Sequence, residues 1–424
     1  MIKLRGKLYP LAPWAAGVLI ALMGTPAGAV DLKTADGAWT FSIAGNVNVH
    51  YIYSKCEDSN PSIAAGGGLA CVGTASGSSV SNIGNGLLPA AFTFGVATTQ
   101  GGYDLSAHLG LFPGIATNDG GSPNLEANGA SNTALGTTGL DVRQVYMTFG
   151  NKDMGTFTLG RNIGLFGGDV ILNDMTLPGV GGAGTASGPA PANTTLGSIG
   201  LGYIYVDTLA QMDYTTPDYS GLNFTIGIFD PITALAGGAG TPAGKKAPGF
   251  HGKVAWTMPI NSTTKFYGSA TFISQKQNFE PPGTPTAYDY NGAGFDVFAK
   301  IDVEDFEAFA YYYHGSGLGT TGLFIRSADP AGNTRDSDGF LVQATYKVGQ
   351  VKFGVNYGES KLDLANAGDS PTLVSKNRKV TGGVYDSLTK NLTLLAEVTE
   401  VKADAHNGNT NKSTNFNVGA FLSF

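Results

Sequence analysis

Several residue types that soluble enzymes and helical membrane proteins rely on are scarce here. Only 13% of the 424 residues are charged, and there are five histidines, three tryptophans and two cysteines. His50, His108, His251, His314 and His406 stand in no G-x-S-x-G or H-E-x-x-H frame, so neither a nucleophile elbow nor a zinc protease helix is present. No C-x-x-C-H occurs, which excludes haem attachment. The glycine-rich stretch Gly181–Gly188 does not open a helix after a parallel strand, so it is no phosphate cradle. Cys56 and Cys71 have no histidine or further cysteine near them and do not make a metal site. No enzyme, metal or cofactor is expected. A basic excess is lacking too, with 25 Lys and Arg against 32 Asp and Glu, which argues against nucleic acid as a partner. Beyond residue 29 no apolar run approaches the ~20 residues that a spanning helix needs.

The chain is rich in glycine, with 63 residues, about twice the usual share. The rhythm of short apolar–polar alternations is equally telling. Leu222, Phe224, Ile226 and Ile228 alternate with Asn223, Thr225 and Gly227; Val351, Phe353, Val355 and Tyr357 alternate with Lys352, Gly354 and Asn356. A period of two puts each set on one face of a strand. The same reading along the chain predicts sixteen strands: 39–53, 90–99, 103–112, 142–149, 156–165, 208–216, 222–229, 250–258, 264–274, 290–301, 306–313, 340–348, 351–358, 379–386, 392–401 and 413–424. The connections alternate between tight turns, such as Gln100-Gly101-Gly102 and Gly349-Gln350, and long polar segments, such as 54–85, 113–140, 231–248, 315–337 and 361–375. An even number of strands with short turns at one end and long loops at the other is the pattern of an outer-membrane β-barrel, in which the apolar face meets lipid and the polar face lines water. The fold class expected is all-β, a transmembrane antiparallel barrel of about sixteen strands forming a single domain over 30–424.

Both ends of the chain agree. Lys3, Arg5 and Lys7 precede an apolar stretch, Ala15–Met23, and Ala27-Gly28-Ala29 forms an A-x-A site, so residues 1–29 read as a cleaved secretory signal. Its removal would leave 22 basic residues against 32 acidic, a net charge of −10. In an exported chain the two cysteines make a Cys56–Cys71 disulfide plausible. At the other end Phe416, Val418, Ala420, Leu422 and Phe424 are apolar at every second position up to the last residue. A final strand of this kind makes sense where it pairs with the first to close a barrel in lipid. It resembles the C-terminal strand of Gram-negative outer-membrane proteins, whose terminal Phe is recognised by the barrel assembly machinery.

One forty-residue stretch carries a closer resemblance. Arg143-Gln-Val-Tyr-Met-Thr-Phe149, followed by Asp153-Met-Gly155-Thr-Phe157-Thr-Leu-Gly160-Arg161-Asn162, is similar to the strand–turn–strand of the trimeric general porins, with their F-x-x-G-R-N. Asp174-Met175-Thr176-Leu177-Pro178-Gly179-Val180-Gly181-Gly182 then resembles the D-M-L-P-E-F-G-G of enterobacterial members, with one inserted residue and Gly179 at the glutamate position. The resemblance implies that the third external loop folds into the lumen and narrows it, with Arg143 a wall arginine, Asp174 a loop carboxylate and Arg161 a structural residue near the subunit contact. Asn46 and Ala91 stand where the family has a lysine and an arginine, and Asp207 falls where it has another arginine. Lys253, Lys265, Lys347 and Lys352 occupy polar-face positions. Arg143, Asp169, Asp174, Asp207 and Lys253 are therefore the expected constriction residues. The resemblance further implies a homotrimer in outer-membrane lipid that passes small polar solutes and ions by passive diffusion. The acidic balance adds the expectation of a weak cation preference. A substrate-specific channel, for which Tyr311-Tyr312-Tyr313 would supply part of an aromatic slide, and an adhesin or receptor role for the outer loops are the alternatives.

Overall fold

The computed structural model describes residues 30–57, 66–71, 79–115, 140–183, 194–233, 241–242, 245–280 and 288–424. The expected signal segment, the expected cleavage site and parts of several long loops lie outside them. The described residues form one antiparallel sheet of nineteen strands closed on itself: β1 (Val30–Lys33), β2 (Trp39–Cys56), β3 (Ser79–Gly84), β4 (Ala91–Gln100), β5 (Tyr103–Pro113), β6 (Leu140–Asn151), β7 (Gly155–Ile163), β8 (Thr208–Thr215), β9 (Leu222–Phe229), β10 (Thr241–Pro242), β11 (Gly249–Pro259), β12 (Thr264–Glu280), β13 (Tyr288–Val303), β14 (Phe306–Ser316), β15 (Asp336–Val348), β16 (Val351–Leu362), β17 (Val374–Asp386), β18 (Leu392–Ala405) and β19 (Thr410–Ser423). Sixteen of these are wall strands. The other three, β1, β3 and β10, are short additions that the alternation pattern missed. β3 pairs with the outer half of β2 and β4 with its inner half, so residues 85–90 leave the wall between them.

Polar and apolar faces fall as the period of two requires. Phe224, Ile226 and Ile228 on β9, and Phe353, Val355 and Tyr357 on β16, are exposed on the outer surface, while Gly227, Asn356 and Gly358 on the same strands are buried within. Short turns join the strands at one end. Gly101 and Gly102, both with positive φ, occupy the two-residue turn between the paired Gln100 and Tyr103, a conformation that a Cβ would strain. Arg143 departs from simple parity for a local reason. Gly110 pairs with Gln144 and Leu111 with Val142, so Arg143 is the extra residue of a β-bulge. Counted through the bulge, Val145 and Met147 face outward, and Arg143 sits with its guanidinium 5.6 Å from the ring of the buried, inward Phe112.

The barrel closes between β19 and β2, from Ser413 opposite Cys56 to Ser423 opposite Asn46. Phe424 extends the seam: its N–H donates to Gly45 O at 3.0 Å and its carbonyl accepts from Gly45 N–H at 2.8 Å. Its ring lies over Gly45, where a Cβ would collide with it, and packs 5.5 Å from Phe92. Beyond this point β1 takes over the edge of β2, with Val30 opposite Ile43. Phe416, Val418 and Leu422 are exposed on the outer face. Cys56 and Cys71 are joined in a disulfide that ties the end of β2 to the folded-in segment 66–71. Deleting Phe424 removes two backbone hydrogen bonds, worth about 0.5–1.5 kcal/mol each, together with the ring contact. The assembled barrel is expected to lose its resistance to SDS at a lower temperature, read as an earlier shift in gel mobility, while still closing through β19.

Candidate functional site

The described residues of the long connection between β7 and β8, 164–183 and 194–207, are not polar in the manner of a solvated loop. Phe166, Val170, Ile171, Leu177, Ile199, Tyr203, Ile204 and Val206 are all buried, and they pack against inward residues of the wall: Leu209, Phe298, Phe309, Tyr311, Tyr313 and Leu341. The hydrophobic core of this protein therefore lies inside the barrel, beneath an inserted loop. The loop enters through α1 (Gly168–Asn173), which follows Gly167 in a left-handed conformation. Tyr311 and Tyr313 belong to this core at 3% and 0% exposure, while Tyr312 faces outward, so the three tyrosines offer no aromatic slide to a solute.

Polar contacts tie the loop along an arc of the wall. Near its start, the Gly167 N–H donates to Asp296 Oδ2 of β13 at 2.6 Å. Asp169 accepts from Lys253 Nζ of β11 at 2.6 Å, from Tyr267 OH of β12 at 3.0 Å and from Ser269 Oγ. Burial pushes the Asp169 carboxyl up, but the Lys253 ammonium and the two hydroxyls outweigh it and hold the group below the usual carboxylate range. Asp169 and Lys253 are 17% and 18% exposed, so removing one partner strands the other, at about 3–5 kcal/mol. Gln343 of β15 accepts from Met175 N–H and donates to Asn173 O, and Lys300 of β13 donates to Asn173 Oδ1.

The tip of the loop is held by a carboxylate from the wall. Glu397 of β18, 1% exposed, accepts from the N–H groups of Val180 and Gly181 at 2.8 and 2.9 Å, from Tyr385 OH at 2.7 Å and from Asn417 Nδ2 at 3.0 Å. Gly179 makes this possible, because a Cβ there would collide with the Glu397 carboxylate. The residue that lacks a carboxyl in the loop thus faces one supplied by the barrel. Beyond the tip, Leu87 N–H donates to Gly179 O at 2.7 Å and Leu88 N–H to Leu177 O at 3.0 Å, so the stretch 85–90 that leaves the wall is the partner of the loop.

The residues expected at a constriction are distributed differently from one another. Asp169 and Lys253 form one ion pair. Arg143 Nη2 forms another with Asp141 at 3.0 Å, and both, with Asp207, act on the phenol of Tyr205, which burial raises above its ordinary pKa. Asp207 has φ +60° and caps the N–H of Thr208 at the end of the loop. Asp174 is not exposed to the lumen. It is buried at 3% and accepts from Tyr203 OH, Thr176 and Asn356 Nδ2. Arg161 points to the outer surface between Val145 and Ala210. Asn46 and Ala91 pair with each other and are both buried, so the absent basic residues leave no charge at that place. Sequence reasoning missed Glu397, Gln343, Asn356 and Asp141. The first three sit at inward parity on their strands, and the missing carboxyl at Gly179 was the one signal that pointed to a replacement.

A sequence profile of the family described as Gram-negative porin matches residues 15–420. No curated protein matches the chain by sequence. Among solved structures it is similar to the outer membrane channel DcaP of Acinetobacter baumannii (TM-score 0.64, 14% identity, covering 93% of this chain and 99% of that one). It is also similar to the anion-selective porin from Comamonas acidovorans (0.59, 13%, 91% and 100%) and to OmpF of Salmonella typhi in complex with daunomycin (0.57, 14%, 93% and 100%). At such identities the likeness is one of fold.

Replacing Glu397 by Ala leaves the Val180 and Gly181 amides and the Tyr385 hydroxyl without their acceptor, about 1–3 kcal/mol for each unsatisfied group. The tip is expected to leave the wall while the barrel stays closed, giving a single-channel conductance that is larger and noisier than that of the unaltered protein in a planar bilayer.

Proposed function

The chain belongs to the Gram-negative porin family, whose members are outer-membrane β-barrel channels and not enzymes, and from that premise we propose a passive diffusion channel for small hydrophilic solutes and ions. The observation that carries this reading is the described part of the β7–β8 loop, residues 164–183 and 194–207, bound to the inner wall of a sixteen-stranded barrel. A barrel of that width leaves an aqueous lumen. A loop fixed inside it narrows the path, and a fixed aperture sorts solutes by size. Its partly exposed edge includes Asn173, Thr194, Tyr205, Asp207 and the Asp169–Lys253 pair, which hydrate polar solutes and penalise apolar ones that displace ordered water.

The charges at this edge are largely compensated. Asp169 is paired with Lys253, Arg143 is paired with Asp141, and Asp174 is under the loop. Asp207 is in no ion pair among the described residues, and it supports a slight lean toward cations rather than a strong one. A homotrimer is part of the same proposal. Arg161 lies on the outer surface amid Val145, Met147 and Met212, all exposed, and an arginine facing lipid costs about 2–4 kcal/mol at the bilayer midplane. A neighbouring subunit on this face would give it polar company. Export through residues 1–29 and insertion by the barrel assembly machinery, reading the strand that ends in Phe424, complete the reading.

In planar bilayers under a salt gradient the purified protein is expected to give conductance steps in groups of three and a small reversal potential of the cation-preferring sign. Asp207→Asn is expected to abolish that potential with little change in conductance. A large potential of the opposite sign in the unaltered protein would refute the assignment of the lean to Asp207.

A further inference from the structure

A second charged zone lies in the lumen near the short turns, on the turn side of the inserted loop. Lys347 of β15 and Lys352 of β16 are directly opposite in register. Both point inward, since Gln343 and Thr345 share the parity of Lys347 and Asn356 that of Lys352, and all three are buried within the barrel, while Tyr346, Val348 and Phe353 are exposed outside. Directly opposed residues have Cβ atoms about 4.5–5.5 Å apart, a separation at which like charges repel. Neither ammonium is in an ion pair among the described residues. Lys352 Nζ stands 5.2 Å from the ring centroid of Tyr385, a cation–π contact that holds its stem without neutralising it.

The charged groups that act on Lys352 are Glu307, Lys300 and Lys347. Glu307 is already bound by Lys300 at 2.7 Å, and Lys300 also reaches Asp302 at 3.3 Å. Glu307 and Asp302 are thus committed to one lysine. Asp305, whose carbonyl accepts from the Lys347 N–H at 3.0 Å, is exposed at the turn and forms no ion pair with Lys347, so the facing pair holds two positive charges without an ion-pair partner among the described residues. Such a pair weakens the sheet when empty. A ligand with two negative charges and several oxygens would reverse that, because it can take hydrogen bonds from both ammoniums at once. We propose that Lys347 and Lys352 form a binding site for a small dianionic oxyanion such as phosphate at the turn end of the lumen, with Tyr385 positioning Lys352. The site lies on the turn side of the loop, which reaches Lys300 through Asn173 and Gly354 through Met175, and acts as a local trap at one mouth. It makes the channel asymmetric: an oxyanion arriving from the turn side is held there, lowers the current, and neutralises the lysines so that the cation lean grows.

Inorganic phosphate added to the turn side of a bilayer is the probe, with chloride as the monovalent reference. Phosphate is expected to reduce single-channel current in a saturable way and to move the reversal potential toward cations. In the Lys347→Ala, Lys352→Ala double variant its apparent affinity is expected to fall by about a hundredfold. Lys265→Ala is the control. Lys265 is exposed on the inward face of β12, opposite Asp302, and its loss removes lumen charge near the same end without touching the pair. Equal block in the double variant and the unaltered protein overturns the site. A loss in Lys265→Ala as large as in the double variant overturns it as well, since a general field would then explain the effect. Calorimetric titration of phosphate into the detergent-purified protein reads the same affinities without conduction, so failure of the channel reading and failure of the site remain distinguishable.

Discussion

A backbone that crosses lipid must satisfy every N–H and C=O within the protein, and for strands the solution is a closed sheet. The seam between β19 and β2 meets this demand, and the other features follow from it. Closing sixteen strands fixes a circumference wider than side chains alone can fill. The outer face is apolar because it meets lipid, which leaves the interior as the place where the chain buries apolar side chains against one another. The inserted loop does this. Phe166, Ile204 and Tyr203 meet Tyr311, Tyr313 and Leu341 of the wall, so the loop is both filler and filter.

A loop inside a water-filled barrel needs more than apolar contact to keep one position, and here the polar contacts come from both directions. Asp169 reaches from the loop to Lys253, Tyr267 and Ser269, and Glu397 reaches from the wall to the Val180 and Gly181 amides. The same contacts that position the loop remove charge from the path. Carboxylates that would set a strong field across an open aperture are spent as anchors, and for this reason the reading given above is one of weak charge selection with size as the main criterion. Among the described residues, Asp207 at the loop edge and the facing Lys347 and Lys352 at the turn end are charges in no ion pair.

Period-two alternation made the wall legible. On β9 it placed both ends of the strand, on β16 the start, and on both strands the two faces, because lipid on one side and water on the other impose the pattern along the wall. It failed where a strand is interrupted or supplemented. β3 hides in a Gly/Ser-rich stretch whose pairing is set by β2, and β1 and β10 are too short to show a period. Arg143 shares parity in the sequence with Val145 and Met147, and only the bulge against Gly110–Leu111 explains how it leaves their face. Inside the loop the difficulty is of another kind. Nothing in the adjoining sequence distinguishes Asp174, which is buried among Tyr203, Asn356 and Thr176, from Asp169, which latches to Lys253; the wall partners Asn356 and Lys253, both more than eighty residues away, decide. Glu397 reads as one inward residue among many until Gly179 is seen to lie against it.

The central claim is that the loop is fixed to the wall by hydrogen bonds from its own backbone. Residue-resolved hydrogen exchange of the folded protein in detergent tests it most directly. The amides of Gly167, Met175, Val180 and Gly181 donate to Asp296, Gln343 and Glu397, so they are predicted to exchange as slowly as amides in the wall strands. Exchange of these four at the rate of an open loop would contradict the account, for it would mean that the loop leaves the wall freely and does not set the aperture.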